Sequence, residues 1–203
     1  MTTTASPVLP IARPLLDERE VEAARRVILS GWVTQGPEVA AFEREFAAAV
    51  GAPHAVAVSN CTTALHLALL AAGVGPGDEV ITTPYTFFAT GGTVARVGAR
   101  SIFCDIDPKT YNLDPKTVQA FIDKNCERRD GKLINKKTGG HIKVLMPVHL
   151  YGQMADMAAL MPIARANGLK VIEDAAQAIG SATPDGKRAG SIGDIGCFSF
   201  FPS

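Results

Sequence analysis

An excess of charge of either sign is missing from this sequence. Its 203 residues carry 20 lysines and arginines against 20 aspartates and glutamates, for a formal net charge of zero. That balance offers no general attraction to nucleic acid or to an anionic membrane surface. Cysteine is scarce. Cys61, Cys104, Cys126 and Cys197 are scattered and form no C-x-x-C pair, which argues against a disulfide framework or a zinc site and for reduced thiols. No apolar run is long enough to span a bilayer. The opening MTTTASPVLPIARPLLDE has no basic region followed by an apolar one, so no secretory signal is expected. A dinucleotide fingerprint is lacking too: the Gly-rich turn at 73–77 follows a helical pattern and precedes a strand pattern, the reverse of the required order. These absences point to a cytoplasmic protein with no metal and with neither nucleic acid nor membrane among its partners.

What the sequence does have is alternation. Residues 1–16 are proline-rich and read as an extended N-terminal arm. Asp17 and Glu20 have capping-box spacing, which predicts a helix from about Glu18 to Leu29, ended by Gly31. Pro37 opens a second helix with Val39, Phe42, Phe46 and Ala49 on one face and Gly51 as its stop. Strands are then expected at His54–Val58, Glu79–Thr83, Arg100–Asp105, Lys143–Leu150 and Leu169–Glu173. Between them helices are expected at Thr62–Ala72, Phe88–Val97, from Asp114 to Asn125, and at Met157–Ala166. Strands alternating with helices of this length imply βαβ units: an α/β fold with a mostly parallel sheet and flanking helices. The Gly-rich tail 180–201 reads as a hairpin and one more strand. Residues 124–143 break the rhythm with seven basic and two acidic residues. They read as a solvated hairpin-like insertion near 126–142, with a phosphate-contacting flap as the other reading.

Several residues could carry chemistry. Ser59-Asn60-Cys61-Thr62-Thr63 joins a strand pattern to a helix pattern. Its residues suit a helix cap, and the free N–H groups of a first turn attract anions, so Thr62 and Thr63 are either ordinary cap residues or a phosphate site. Phe87, in Pro84-Tyr85-Thr86-Phe87-Phe88, falls just past a strand end, where open α/β sheets bind ligands. It is a core aromatic or a flat platform for a heteroaromatic ring. Asp174 brings a carboxylate to the end of a buried apolar run. Either it caps the next turn, or it is the anion that a protonated pyridine nitrogen requires. Gln177, three residues on, could hydrogen-bond the phenolic oxygen of such a ring. His149, in Pro147-Val148-His149-Leu150-Tyr151-Gly152, is a structural or a catalytic histidine at another strand end.

The pieces GWVTQGPEVAAFE, SNCTTALHLAL, PYTFFAT, MPVHLYGQ, EDAAQA and GDIGCFSFFPS occur in this order between residues 31 and 203. Together they resemble the DegT/StrS family of pyridoxal 5'-phosphate (PLP)-dependent nucleotide-sugar aminotransferases. The resemblance implies the large domain of fold-type-I PLP enzymes over residues 17–203, incomplete, with the C-terminal small domain absent. It implies that Asp174 partners the pyridinium, Gln177 contacts the ring oxygen and Phe87 stacks on the ring. Ser199, Thr62 and Thr63 would hold the phosphate. It places the Schiff-base lysine directly after Ser203. The implied reaction moves an amino group from an amino acid, glutamate by family analogy, to a nucleotide-linked keto-sugar. The complete protein would be a homodimer whose Gly31–Gly36 loop reaches the substrate. Cys61 departs from the pattern, standing where many relatives have glycine. Two other readings stay open: a sugar dehydratase with histidine in place of the lysine, and a non-catalytic truncated or regulatory homologue. As it stands, the fragment is expected to be inactive.

Overall fold

The computed structural model describes residues 14–201. All but the last three residues of the expected N-terminal arm, and Pro202-Ser203 of the closing motif, lie outside that range.

Local caps set the first two helices. In α1 (Glu18–Ser30) the Asp17 carboxylate accepts the Arg19 N–H at 2.8 Å, while Glu20 accepts the Asp17 N–H at 2.7 Å. Gly31 closes the helix at φ +75°, a left-handed backbone suited to glycine. α2 (Pro37–Val50) begins on its proline and ends on Gly51. Its Phe46 ring meets those of Phe198 and Phe200 edge-on, at 4.9 and 5.3 Å, so the far end of the chain packs on this helix.

The remainder follows the alternation: α3 (Cys61–Ala71), β1 (Asp78–Thr82), α4 (Phe88–Arg96), β2 (Arg100–Phe103), α5 (Pro115–Asn125), β3 (Cys126–Arg129), β4 (Lys132–Asn135), β5 (His141–Leu145), α6 (Met157–Asn167), β6 (Lys170–Asp174) and β7 (Ile195–Cys197). Strands β2, β1, β5, β6 and β7 lie side by side in that order, all parallel. Alternate residues face opposite layers. Val80, Val144 and Ile172 pack with Leu65 and Leu69 of α3 and Val94 of α4. Ile81, Leu145 and Val171 pack with Val118 and Ile122 of α5 and Leu160 of α6. Helices cover both faces, as a parallel sheet requires. Among the described residues no helix is long and apolar enough to cross a membrane.

Three expected elements differ. His54–Val58 is not a strand: no described strand lies beside it, Val56 and Val58 face solvent, and Glu43 rather than a ladder takes the Ala57 N–H. β5 starts earlier than expected and ends at Leu145, although Val148 still bridges to Asp174. In the tail only the Ala182–Arg188 bridge and the three-residue β7 form.

The basic segment forms the antiparallel hairpin β3–β4, and the hairpin is part of the sheet. β4 pairs with His141 and Ile142 at the start of β5, while β6 takes the same edge from Val144 onward. Leu133, Ile134 and Asn135 are buried. Beneath them the buried Glu79 accepts hydrogen bonds from Asn135 (2.9 Å) and Thr138 (2.7 Å). This anchorage holds the hairpin at the amino ends of the strands.

Candidate active site

The carboxyl ends of β1, β5 and β6 converge, and β6 ends in two carboxylates. Successive strand residues point to opposite faces, so Glu173 and Asp174 enter different environments. Asp174 is buried. It accepts the Thr90 hydroxyl at 2.8 Å and the Ala176 N–H at 3.2 Å. Thr90 is bonded in turn to Thr86 at 2.7 Å. Burial raises the Asp174 pKa above the ordinary carboxylate value, and the hydrogen bonds from Thr90 and Ala176 only partly offset this. Among the described residues no lysine, arginine or histidine nitrogen lies within ion-pair reach of Asp174. A buried carboxylate with hydrogen bonds but no cation fits a ligand that brings a protonated nitrogen.

Glu173 is fully buried and saturated. Its carboxylate accepts His149 Nε2 at 2.8 Å and the N–H groups of Gly190 (2.9 Å), Ile192 (2.7 Å) and Gly193 (2.6 Å). Burial opposes its charge, but the bonds from His149, Gly193 and Gly190 together hold its pKa below the usual value. The backbone has no room to spare here: a Cβ on Gly193 would come within 2.7 Å of the Val171 carbonyl. His149, also fully buried, accepts the Ala155 N–H on Nδ1 at 3.1 Å. Its ring proton therefore sits on Nε2, toward Glu173. Both ring nitrogens are committed to the protein, so the ring braces the Asp174 strand end.

Gln177 is exposed just beyond Asp174. Its carbonyl oxygen accepts the Tyr151 N–H at 3.0 Å, which leaves the amide NH2 as a donor facing outward. Phe87, the residue before α4, is largely exposed and not a core aromatic. It lines one end of a cleft of about 1010 Å³ that runs along α4 to Thr138–Gly140. That cleft is lined by neither Asp174 nor Gln177.

The α3 amino end is capped. Asn60 caps the helix by accepting the Thr63 N–H at 2.8 Å, and the Thr63 hydroxyl bonds Ser59 at 3.0 Å. The Thr63 amide is thus engaged by the cap itself. Cys61, in the first turn, shares a core cluster with Cys197 at the end of β7. Ser199, two residues past Cys197, is half-buried and accepts the Phe201 N–H at 3.2 Å. Burial pushes the Cys61 thiol up to about 12, so it is no nucleophile at neutral pH.

Residues 14–203 match the DegT/DnrJ/EryC1/StrS aminotransferase family. The chain belongs to that family. GDP-perosamine synthase of Caulobacter vibrioides is 43 % identical over 196 residues, which are 96 % of this chain and 48 % of the synthase. A family aminotransferase structure from Brucella abortus superposes with a TM-score of 0.82 at 36 % identity, over 91 % of this chain and 47 % of that one. NtdA of Bacillus subtilis, solved with the bound cofactor PMP, gives a TM-score of 0.71 at 34 % identity, over 85 % and 36 %. The fold is that of the fold-type-I aminotransferases, and the family's cofactor is pyridoxal phosphate. The chain spans about half the length of the relatives it matches.

Two participants escaped the sequence reading. Thr90 is separated from Asp174 by 84 positions, and only its i, i+4 spacing from Thr86 could have hinted at it. Glu173 stood in plain view beside Asp174, but its four donors come from two distant segments.

Proposed function

We propose that these residues form the cofactor-binding part of a PLP-dependent aminotransferase acting on a nucleotide-linked keto-sugar, with an amino acid, glutamate by family analogy, as donor. The observation that carries this reading is the buried carboxylate of Asp174 at the end of β6, hydrogen-bonded but with no cation partner among the described residues. Bound there, the cofactor ring supplies an electron sink for the carbon that gains or loses the amino group. Asp174 keeps a proton on the ring nitrogen, and Thr90 and the Ala176 N–H hold its two oxygens in place. Gln177 donates its free NH2 to the ring oxygen. Phe87 offers an apolar face to the ring. Thr62 and Ser199 hold the phosphate, and Thr63 shapes that end through the cap. His149 and Glu173 keep the strand ends fixed.

In this reading residues 17–203 are part of a large domain. The lysine that carries the cofactor and the small domain belong to the portion of the relatives' length that this chain does not span. The active protein is a homodimer. The exposed Ile28 and Leu29 of α1, with Trp32 and Val33 of the following loop, favour that assembly.

The test is Asp174→Asn in the full-length protein. Turnover should fall by about a hundredfold or more, while the protein still takes up PLP, as read by absorbance. Near-normal turnover would remove Asp174 from its role and leave the reading without its main support.

A further inference from the structure

We propose that the three tyrosines of this chain form a rim at the mouth of the site that receives the pyranose ring of the sugar substrate. The proposal rests on the aminotransferase reading above and assigns residues to one of its two substrates.

The three tyrosines are all that the sequence contains. They arrive on three separate loops, Tyr85 after β1, Tyr111 after β2 and Tyr151 after β5. The Tyr85 and Tyr111 rings lie 5.8 Å apart, and the Tyr85 and Tyr151 hydroxyls 3.4 Å apart. None is core: their exposures are 44 %, 49 % and 72 %. Two of them are strained. Tyr111 sits at φ +59° and Tyr151 at φ +55°, and the only other described non-glycine residue at positive φ is Asp130 in the β3–β4 turn. A bulky side chain in left-handed backbone is unfavourable, and such strain persists where the surroundings enforce it. Here they do. Buried Asn112, next to Tyr111, accepts the Leu150 N–H and donates to the Gln153 carbonyl, each at 3.0 Å, which braces the Tyr111 loop against the Tyr151 loop. A buried brace that holds exposed rings in strained backbone is not explained by packing.

The rim is wired to the site from two sides. Tyr151 donates its N–H to Gln177. Tyr85 precedes Thr86, which reaches Asp174 through Thr90. The chemistry of the rim selects among ligands. Phenol rings offer flat apolar faces for the C–H face of a sugar and neutral hydroxyls for its hydroxyl groups. They carry no cation, so neither a phosphate nor the carboxylate of an amino donor suits them.

The experiment compares two half-reactions in the full-length PLP-loaded protein. Amino donors are scored by bleaching of the bound cofactor. Guanosine- and uridine-diphosphate-linked keto-hexoses are scored by its return. The double variant Tyr85→Phe/Tyr151→Phe should raise KM for the keto-hexose about tenfold, the loss expected for one neutral hydrogen bond. Its kcat, donor half-reaction and PLP affinity should be unchanged. Tyr151→Gly should keep or raise the thermal midpoint, because it relieves strain, and should still raise that KM. An unchanged KM in both variants would overturn the proposal, as would equal slowing of both half-reactions or a midpoint that falls in Tyr151→Gly. Normal donor bleaching with no turnover of any keto-hexose would overturn the rim alone. No bleaching by any amino donor in the unsubstituted protein would overturn the aminotransferase reading, and the rim with it.

Discussion

An ionised Asp174 is costly to the empty protein. Burial raises its pKa. A carboxylate so raised contributes stability that is full below its ordinary value of about 3.9 and is lost as pH rises through the raised one. Ionising Asp174 in the cofactor-free protein is therefore unfavourable, and a bound pyridinium would offset that cost. Asp174→Asn should raise the thermal midpoint of cofactor-free protein at neutral pH and flatten its pH dependence through the carboxylate range. A lower midpoint would mean that the hydrogen bonds from Thr90 and Ala176 outweigh the cost of burial. Ser199 allows a second test. A hydrogen bond to a charged group contributes about 1.5–3 kcal/mol, so Ser199→Ala should weaken PLP binding roughly tenfold to a hundredfold, as read by titration of apo-protein. An unchanged dissociation constant would remove Ser199 from the phosphate end. The place of Asp174 at a strand end was legible because an apolar run leads into it. The engagement of the Thr63 amide was not, because Asn60 suits a cap and an anion site equally well.

Among the elements, helix ends were read to within a residue or two, since Asp17, Gly31, Pro37 and Gly51 act on their own neighbourhoods. Strands depend on partners far along the chain, and His54–Val58 shows the consequence: an apolar run stays a coil without a described strand beside it. The same long-range dependence hid Glu173, which fastens the 190–193 loop to β6. Glu173→Gln leaves backbone N–H groups facing an amide rather than a carboxylate. It should destabilise the protein by about 3 kcal/mol, as read by denaturant titration. The depressed pKa fixes the sign of the acid response. The stability from Glu173 is present above the unfolded value of about 4.3 and is lost as pH falls through the lower folded one. The wild type should therefore lose midpoint in that acidic window, and Glu173→Gln should lose less. Parallel melts of the two proteins check this.

For the whole molecule, the α/β class followed from the alternation alone. The shared edge of β5 did not, because hydrophobic pattern cannot say that two strands of opposite direction will divide one neighbour. The outer face of α1 is a further property of the whole. None of its residues is buried, although Ile28 and Leu29 would gain from burial. A Leu29→Glu/Val33→Glu variant of the full-length protein should sediment as a monomer where the wild type sediments as a dimer. A dimer in both would place the contact elsewhere.

The divided edge of β5 also bears on the order in which the chain assembles. Ile134 and its partner His141 are seven positions apart, whereas Glu79 must find Ile142 across sixty-three. Closing a short loop takes less conformational entropy and less time than closing a long one. The hairpin thus gives β5 an early neighbour, and Glu79, which grips Asn135 and Thr138, is where the late-arriving β1 locks on. A pulse of amide exchange during refolding should find β4 protected ahead of β1, so that the basic insertion, remote from the chemistry, works as a starting block for the sheet.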